Sequence, residues 1–163
     1  MTGAERRLVL LRHAKSAWPE GKADAERPLA GRGRRDAPAA GRWLRDHVAD
    51  IDLVVCSPAV RARQTWDLVS AELDALLRVR YDERLYGACA EDLLAVTREL
   101  PQQAPTVLLV GHNPGLEDLV ELLTGAVRPL RTSAVVVLTC PGNWADAGPR
   151  SSALEEFATP RGR

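Results

Sequence analysis

Two histidines and two arginines in this chain have the chemistry needed to move a phosphoryl group. His13 directly follows Arg12 at the end of an apolar run. A neutral imidazole can attack phosphorus, and its ordinary pKa of about 6.5 leaves much of it unprotonated near neutrality. Arg12 offers a planar fork of donors and a charge that does not titrate. Arg61 falls one turn into a helix predicted to start at Ser57, whose first amide groups favour an anion. His112 lies in Gly111-His112-Asn113-Pro114-Gly115, where it can donate a hydrogen bond to charge developing on phosphate. Asn113 is taken with it as a phosphate-binding candidate. For a proton donor the candidates are Asp82 and Glu83, just after a predicted strand, with Glu83 preferred. Glu91 is weaker, because the helix dipole already explains an acidic residue in a first turn.

Singly, these residues have ordinary explanations. Arg12 can be a solvated strand-end charge, Arg61 a surface arginine, Ser57-Pro58 a capping signal and Gly111–Gly115 a turn. Glu83 can be an exposed partner for Arg84, and His47 suits the end of a helix. The grouping is what needs explaining, because three strand ends present phosphate-compatible groups. A metal site is disfavoured, because His13 and His112 lack a third ligand at suitable spacing.

The elements that must position these groups read as follows. Leu8–Leu11, Asp52–Cys56, Thr106–Val110 and Ala134–Leu138 are apolar runs of the buried-strand kind, and Arg78–Tyr81 suits a shorter strand. Residues 19–31 are polar and rich in Gly and Pro, so a loop is predicted. A helix is predicted through Arg42–Val48, with Pro38 obscuring its start. Ser57 is predicted as a cap with Pro58 opening the next helix, along which Ala62, Trp66, Val69 and Leu73 form a buried stripe. Glu91–Leu100 and the segment opened by Asn113 and Pro114 are further helices. The tail from Gly142 is predicted to be irregular, leaving a core over about 8–140 of a single domain, 1–163. Alternating strands and helices point to an α/β layered domain with a largely parallel sheet, where ligands bind beyond the carboxyl ends of the strands.

Composition narrows the classes further. Lys+Arg and Asp+Glu are both 22, so no global basic field recruits nucleic acid or an acidic membrane surface. Phosphate affinity has to come from a local arginine cluster. Cys56, Cys89 and Cys140 are scattered singly, which suits a reducing cytoplasm better than a disulfide framework. The apolar run near the start is too short for a signal-peptide core, and no stretch is long enough to span a bilayer.

Three segments resemble the histidine phosphatase superfamily. Leu11-Arg12-His13-Ala14 is similar to its signature strand end, with Ala14 where many members have glycine. Ser57-Pro58-Ala59-Val60-Arg61-Ala62-Arg63-Gln64-Thr65 is similar to its second motif, and Gly111-His112-Asn113 to its second histidine motif. Their order and separations match as well, and the similarity runs from about Leu8 to Leu138. Arg27-Pro28-Leu29 followed by Gly31 or Gly33 resembles the loop-to-helix segment of the small phosphohistidine phosphatase (SixA-like) branch. The resemblance implies a three-layer α/β/α domain of the phosphoglycerate-mutase-like kind, with a mostly parallel mixed sheet. It implies a phosphohistidine intermediate at His13, a phosphate pocket of Arg12, Arg61 and His112, and no metal or organic cofactor.

Two departures bear on the substrate. Phosphoglycerate-mutase-like members have an asparagine shortly after the first motif, where this chain has Trp18-Pro19. They also carry a large insertion, whereas only about 45 residues separate Arg61 from the Thr106 strand here. The leading expectation is therefore a cytoplasmic phosphatase acting on phosphohistidine in proteins or on a small phosphoester. The alternatives are a phosphomutase for a small phosphorylated metabolite, or a non-catalytic phosphate-binding module. Retention of both histidines counts against the module, since binding alone needs no nucleophile.

Overall fold

Alternation within the apolar run at Leu8–Leu11 explains the layering of the molecule. Leu8 and Leu10 point into one hydrophobic cluster, Val9 and Leu11 into another, and all four are fully buried. The computed structural model describes residues 5–163. Among these residues six strands form one sheet: β1 (Arg6–Arg12), β2 (Leu53–Cys56), β3 (Val79–Tyr81), β4 (Thr106–Gly111), β5 (Val135–Cys140) and β6 (Ala153–Ala158). Their spatial order is β3-β2-β4-β1-β5-β6. The β3, β2, β4 and β1 neighbours pair in parallel, while β5 runs against β1 and β6 against β5.

Helices α1 (Gly31–His47) and α2 (Val60–Ser70) cover one face through Ala37, Ala40, Leu44, Ala62, Trp66 and Val69. Helices α3 (Ala90–Arg98) and α4 (Gly115–Thr124) cover the other through Leu93, Val96, Leu116, Leu119, Val120 and Leu123. The result is the three-layer α/β/α arrangement with a mixed sheet. No helix among the described residues is long and apolar enough to cross a membrane.

Three expectations need correction. Helix α1 begins at Gly31, so Pro38 lies inside it. Pro38 is half-buried there, and its ring leaves one helical carbonyl without an N–H partner. Gly33 permits the early start, because a Cβ there would stand 2.1 Å from the Lys15 carbonyl oxygen. Helix α1 therefore rests directly on the segment that follows His13. Second, Ala59 and not Ser57 caps α2. The Ser57 hydroxyl is turned to His112 and to the Ala59 N–H instead.

Third, the tail is not irregular. Trp144 is fully buried and donates from Nε1 to the Ala104 carbonyl at 2.9 Å, and β6 completes the sheet edge. A bulge between Val137 and Leu138 sets Leu154 opposite Leu138 and Glu156 opposite Val137, skipping Glu155. Leu154 and Phe157, an odd number of residues apart, thereby pack against the same cluster. The core thus extends well past residue 140.

Candidate active site

The order β2-β4-β1 brings the three carboxyl ends together at one rim. The His13 and His112 rings lie 5.1 Å apart, tilted by 55°. A pocket of about 230 Å³ opens there, lined by Arg12, His13, Arg61, His112 and Asn113. Two larger hollows, of about 400 and 420 Å³, open by the amino ends of β2 and β3 and contain neither histidine. Size does not identify the site here; convergent chemistry does.

His13 is held in one tautomer. Its Nδ1 lies 2.8 Å from the Ala14 carbonyl oxygen, which can only accept, so Nδ1 carries the proton and Nε2 keeps its lone pair. Burial, reinforced by the positive surroundings of His112, Arg61 and Arg12, pulls its pKa down to about 3. The ring is therefore neutral at physiological pH, the state a nucleophile requires. The backbone behind it is fixed by Thr65, whose hydroxyl accepts from the Ala14 N–H at 3.0 Å and donates to the Arg61 carbonyl at 2.7 Å. Gln64 accepts from the Leu29 N–H at 2.8 Å. The Gln64-Thr65 end of the second motif thus ties α2 to the chain on both sides of the pocket.

His112 Nε2 lies 2.7 Å from the Ser57 hydroxyl, and its buried Nδ1 has no hydrogen-bond partner. Burial and then Arg61 lower its pKa to about 4, so it too is neutral. Tyr86 meets the ring edge-on at 5.7 Å.

The arginines show what the pocket lacks. Arg12 donates from Nη1 to the Leu130 carbonyl at 2.9 Å, and its buried Nε has no partner. Arg61 donates from Nη1 to the Asp24 carbonyl at 2.7 Å and from Nη2 to Asp24 Oδ2 at 3.0 Å, and its buried Nε is also unpartnered. Arg27, likewise lining the pocket, donates from Nη2 to Ser16 at 2.6 Å, while its buried Nε and Nη1 make no hydrogen bond. Three guanidinium groups around one cavity keep buried donors in reserve. Guanidinium groups beside a cavity are well matched to an oxyanion bound there.

Sequence reasoning missed Asp24, Arg27 and Tyr86. Asp24 Oδ2 also accepts from the Tyr86 hydroxyl at 2.6 Å, and that bond, followed by Arg61, holds the carboxyl below its ordinary pKa. Arg27 lies in the Arg27-Pro28-Leu29 segment, whose resemblance to the SixA-like branch carries no role for the arginine by itself. Asn113 lines the pocket, yet its amide donates to Glu117 at 2.9 Å and to the Leu130 carbonyl at 2.7 Å. Through Leu130 it steadies the carbonyl that also orients Arg12.

Glu83 does not line the pocket. It is exposed on the 3-10 turn Glu83–Leu85, three residues before the Tyr86 that touches His112. The alternative ion pair of Glu83 with Arg84 is absent among the described residues, since Arg84 bonds Asp82 and Glu99. No cluster of three or more His, Cys, Asp or Glu able to hold a metal occurs among them either.

Residues 8–121 match the family model of the histidine phosphatase superfamily, branch 1. The chain belongs to that superfamily. A histidine phosphatase from Nakamurella multipartitia, described as a candidate phosphohistidine phosphatase SixA, has a solved structure that matches with a TM-score of 0.86. It is 35% identical, with 98% of this chain and 99% of that one covered. An uncharacterised protein of Mycobacterium tuberculosis is 43% identical over 162 residues, covering 93% of this chain and all of the relative. The phosphohistidine phosphatase SixA of Escherichia coli is 30% identical over 138 residues, covering 79% and 81%. Together these make the present chain a SixA-like histidine phosphatase.

Proposed function

We propose that this phosphatase hydrolyses phosphohistidine in proteins, or small phosphoesters, through a phosphohistidine intermediate on His13. The observation that carries the reading is a bare, neutral Nε2 on His13 in a pocket where Arg12, Arg27 and Arg61 retain buried, unpartnered donors. Phosphoryl transfer requires chiefly positioning and charge stabilisation, which such donors supply. The Nε2 lone pair forms a bond to phosphorus as the bond to the leaving atom breaks, and the electron pair departs with that atom. Water then attacks phosphorus, releasing inorganic phosphate and restoring His13. Arg12, Arg27 and Arg61 hold the phosphoryl oxygens, His112 donates to them, and Asn113 acts indirectly through Leu130.

A phosphohistidine substrate expels imidazole, a good leaving group once protonated, so no dedicated acid is essential. An alkyl ester expels an alkoxide, which benefits from a general acid. Glu83 fills that part in our reading, as an exposed carboxyl on a turn at the same rim. Only β3 and α3 lie between α2 and β4 apart from turns and coil, so no inserted lid closes the pocket, and a protein side chain has access. A phosphomutase must retain its intermediate, which an open rim does not favour. The three free cysteines fit a reducing cytoplasm, and the zero net charge gives no attraction to nucleic acid.

The test is turnover of a phosphohistidine-bearing protein beside sugar phosphates and aryl phosphates. The reading predicts the highest kcat/KM on the phosphohistidine protein, with inorganic phosphate released. Isomerised sugar phosphate as the main product would reject it.

A further inference from the structure

Trp18 lines the same pocket as His13, yet it is 77% exposed and takes no part in either hydrophobic cluster. Burial therefore does not keep it at the mouth. The Arg27 guanidinium carbon lies 3.4 Å from the centre of its ring, and Arg27 is itself only 6% exposed and bonded to Ser16. The backbone on either side is pinned as well. Ser16 bridges to Leu29, and the Ala17 N–H donates to the Pro28 carbonyl at 2.9 Å. A large flat ring is thus clamped in water by the same arginine that borders the phosphate pocket.

We propose that Trp18 is a specificity-determining residue, whose free surface receives a flat ring in the substrate's leaving group, such as the imidazole of phosphohistidine. The inference deepens the function proposed above and rests on it. In-line displacement sets the leaving group on the side of phosphorus away from His13 Nε2, towards the open mouth. Trp18 stands at that mouth, held beside the phosphate-binding arginine. Lys15 and Asp24, the other exposed residues there, offer charge but no π surface. An offset aromatic stack contributes roughly 0.5–1.5 kcal/mol, which corresponds to about three- to tenfold in affinity.

The experiment compares wild type, Trp18→Ala and Trp18→Phe on a phosphohistidine-bearing protein, an aryl phosphate and a small alkyl phosphate, with inhibition by inorganic phosphate as a control. Trp18→Ala is expected to lower kcat/KM about three- to tenfold on the first two substrates. The alkyl phosphate and the inhibition constant should change less than about twofold, and Trp18→Phe should recover most of the loss. A fall on the aryl phosphate alone supports stacking and rejects phosphohistidine as the occupant. Equal falls on all three substrates would make Trp18 merely a prop for Arg27 and overturn the proposal, as would no fall at all. A fall on the phosphohistidine protein alone would also overturn it, since it moves the contact to the surrounding polypeptide. Wild type that cleaves aryl phosphate but not phosphohistidine counts against the proposed function and leaves the stacking intact.

Discussion

Asp24 sets one carboxylate oxygen 3.0 Å from Arg61 Nη2 and the same oxygen 2.6 Å from the Tyr86 hydroxyl. An anion of the protein thus rests on an arginine that our reading assigns to substrate phosphate. A bound dianion would lie close to this carboxylate and be repelled by it. Asp24→Asn should therefore tighten inhibition by inorganic phosphate by a few-fold. The Arg61 Nη1 bond to the Asp24 backbone carbonyl should survive and keep the guanidinium oriented. A weakened inhibition constant would show instead that the carboxylate orients Arg61 and does not oppose phosphate.

The arginines divide sharply by their surroundings. Arg12→Ala and Arg61→Ala should each remove about 2–4 kcal/mol of transition-state stabilisation, the scale of a preorganised charged donor. Arg27→Ala should fall in the same range. Arg63 is exposed, with its guanidinium 5.1 Å from the centre of the Tyr81 ring. Arg63→Ala should leave kcat/KM within about twofold. Equal losses at Arg61 and Arg63 in steady-state kinetics would mean that the wrong arginine has been assigned.

Legibility in the sequence followed burial. β1, β2, β4 and β5 are buried on both faces, so each appears as an unbroken apolar run. β6 is an edge strand containing Glu155 and Glu156, and its bulge breaks the alternation that would have marked it. Arg12, His13 and His112 are legible because they stand at strand ends, where topology alone gathers them. Asp24 meets Arg61 from a short 3-10 turn in a polar loop, 37 residues away, and meets Tyr86 across 62. No periodicity encodes such a meeting. Ser57 shows a different failure: α2 starts later than its capping signal suggests, and the Ser57 hydroxyl serves the Ala59 N–H and His112 together.

Glu83 tests the leaving-group argument. Its turn stands at the rim, and no ion pair among the described residues engages its carboxylate. Glu83→Gln should slow alkyl phosphate hydrolysis by about a hundredfold, the low end of general acid catalysis. It should slow phosphohistidine hydrolysis far less. The ratio of the two losses in kcat/KM is the informative quantity. A ratio near unity would remove Glu83 as the acid and leave water or His112 to deliver the proton.

The depressed histidines also make stability depend on pH. His13 and His112 titrate at about 3 and about 4 in the fold, both chiefly because they are buried. An unfolded histidine titrates at about 6.5. Between these values the unfolded chain binds more protons than the native one, so stability falls as pH drops below about 6.5. Urea midpoints measured from about pH 7 to about pH 4.5 should decline less steeply for His13→Ala than for wild type. Parallel declines would mean that His13 does not resist protonation in the fold.

We assign to His13 the phosphoryl group carried during turnover. Turnover should be stopped by a rapid quench that avoids acid, which preserves phosphohistidine, and the intact protein then weighed. Wild type should show one added phosphoryl group that localises to His13, and His13→Ala should show neither the adduct nor turnover. Full activity in His13→Ala, or an adduct at any other residue of the wild type, would contradict the account.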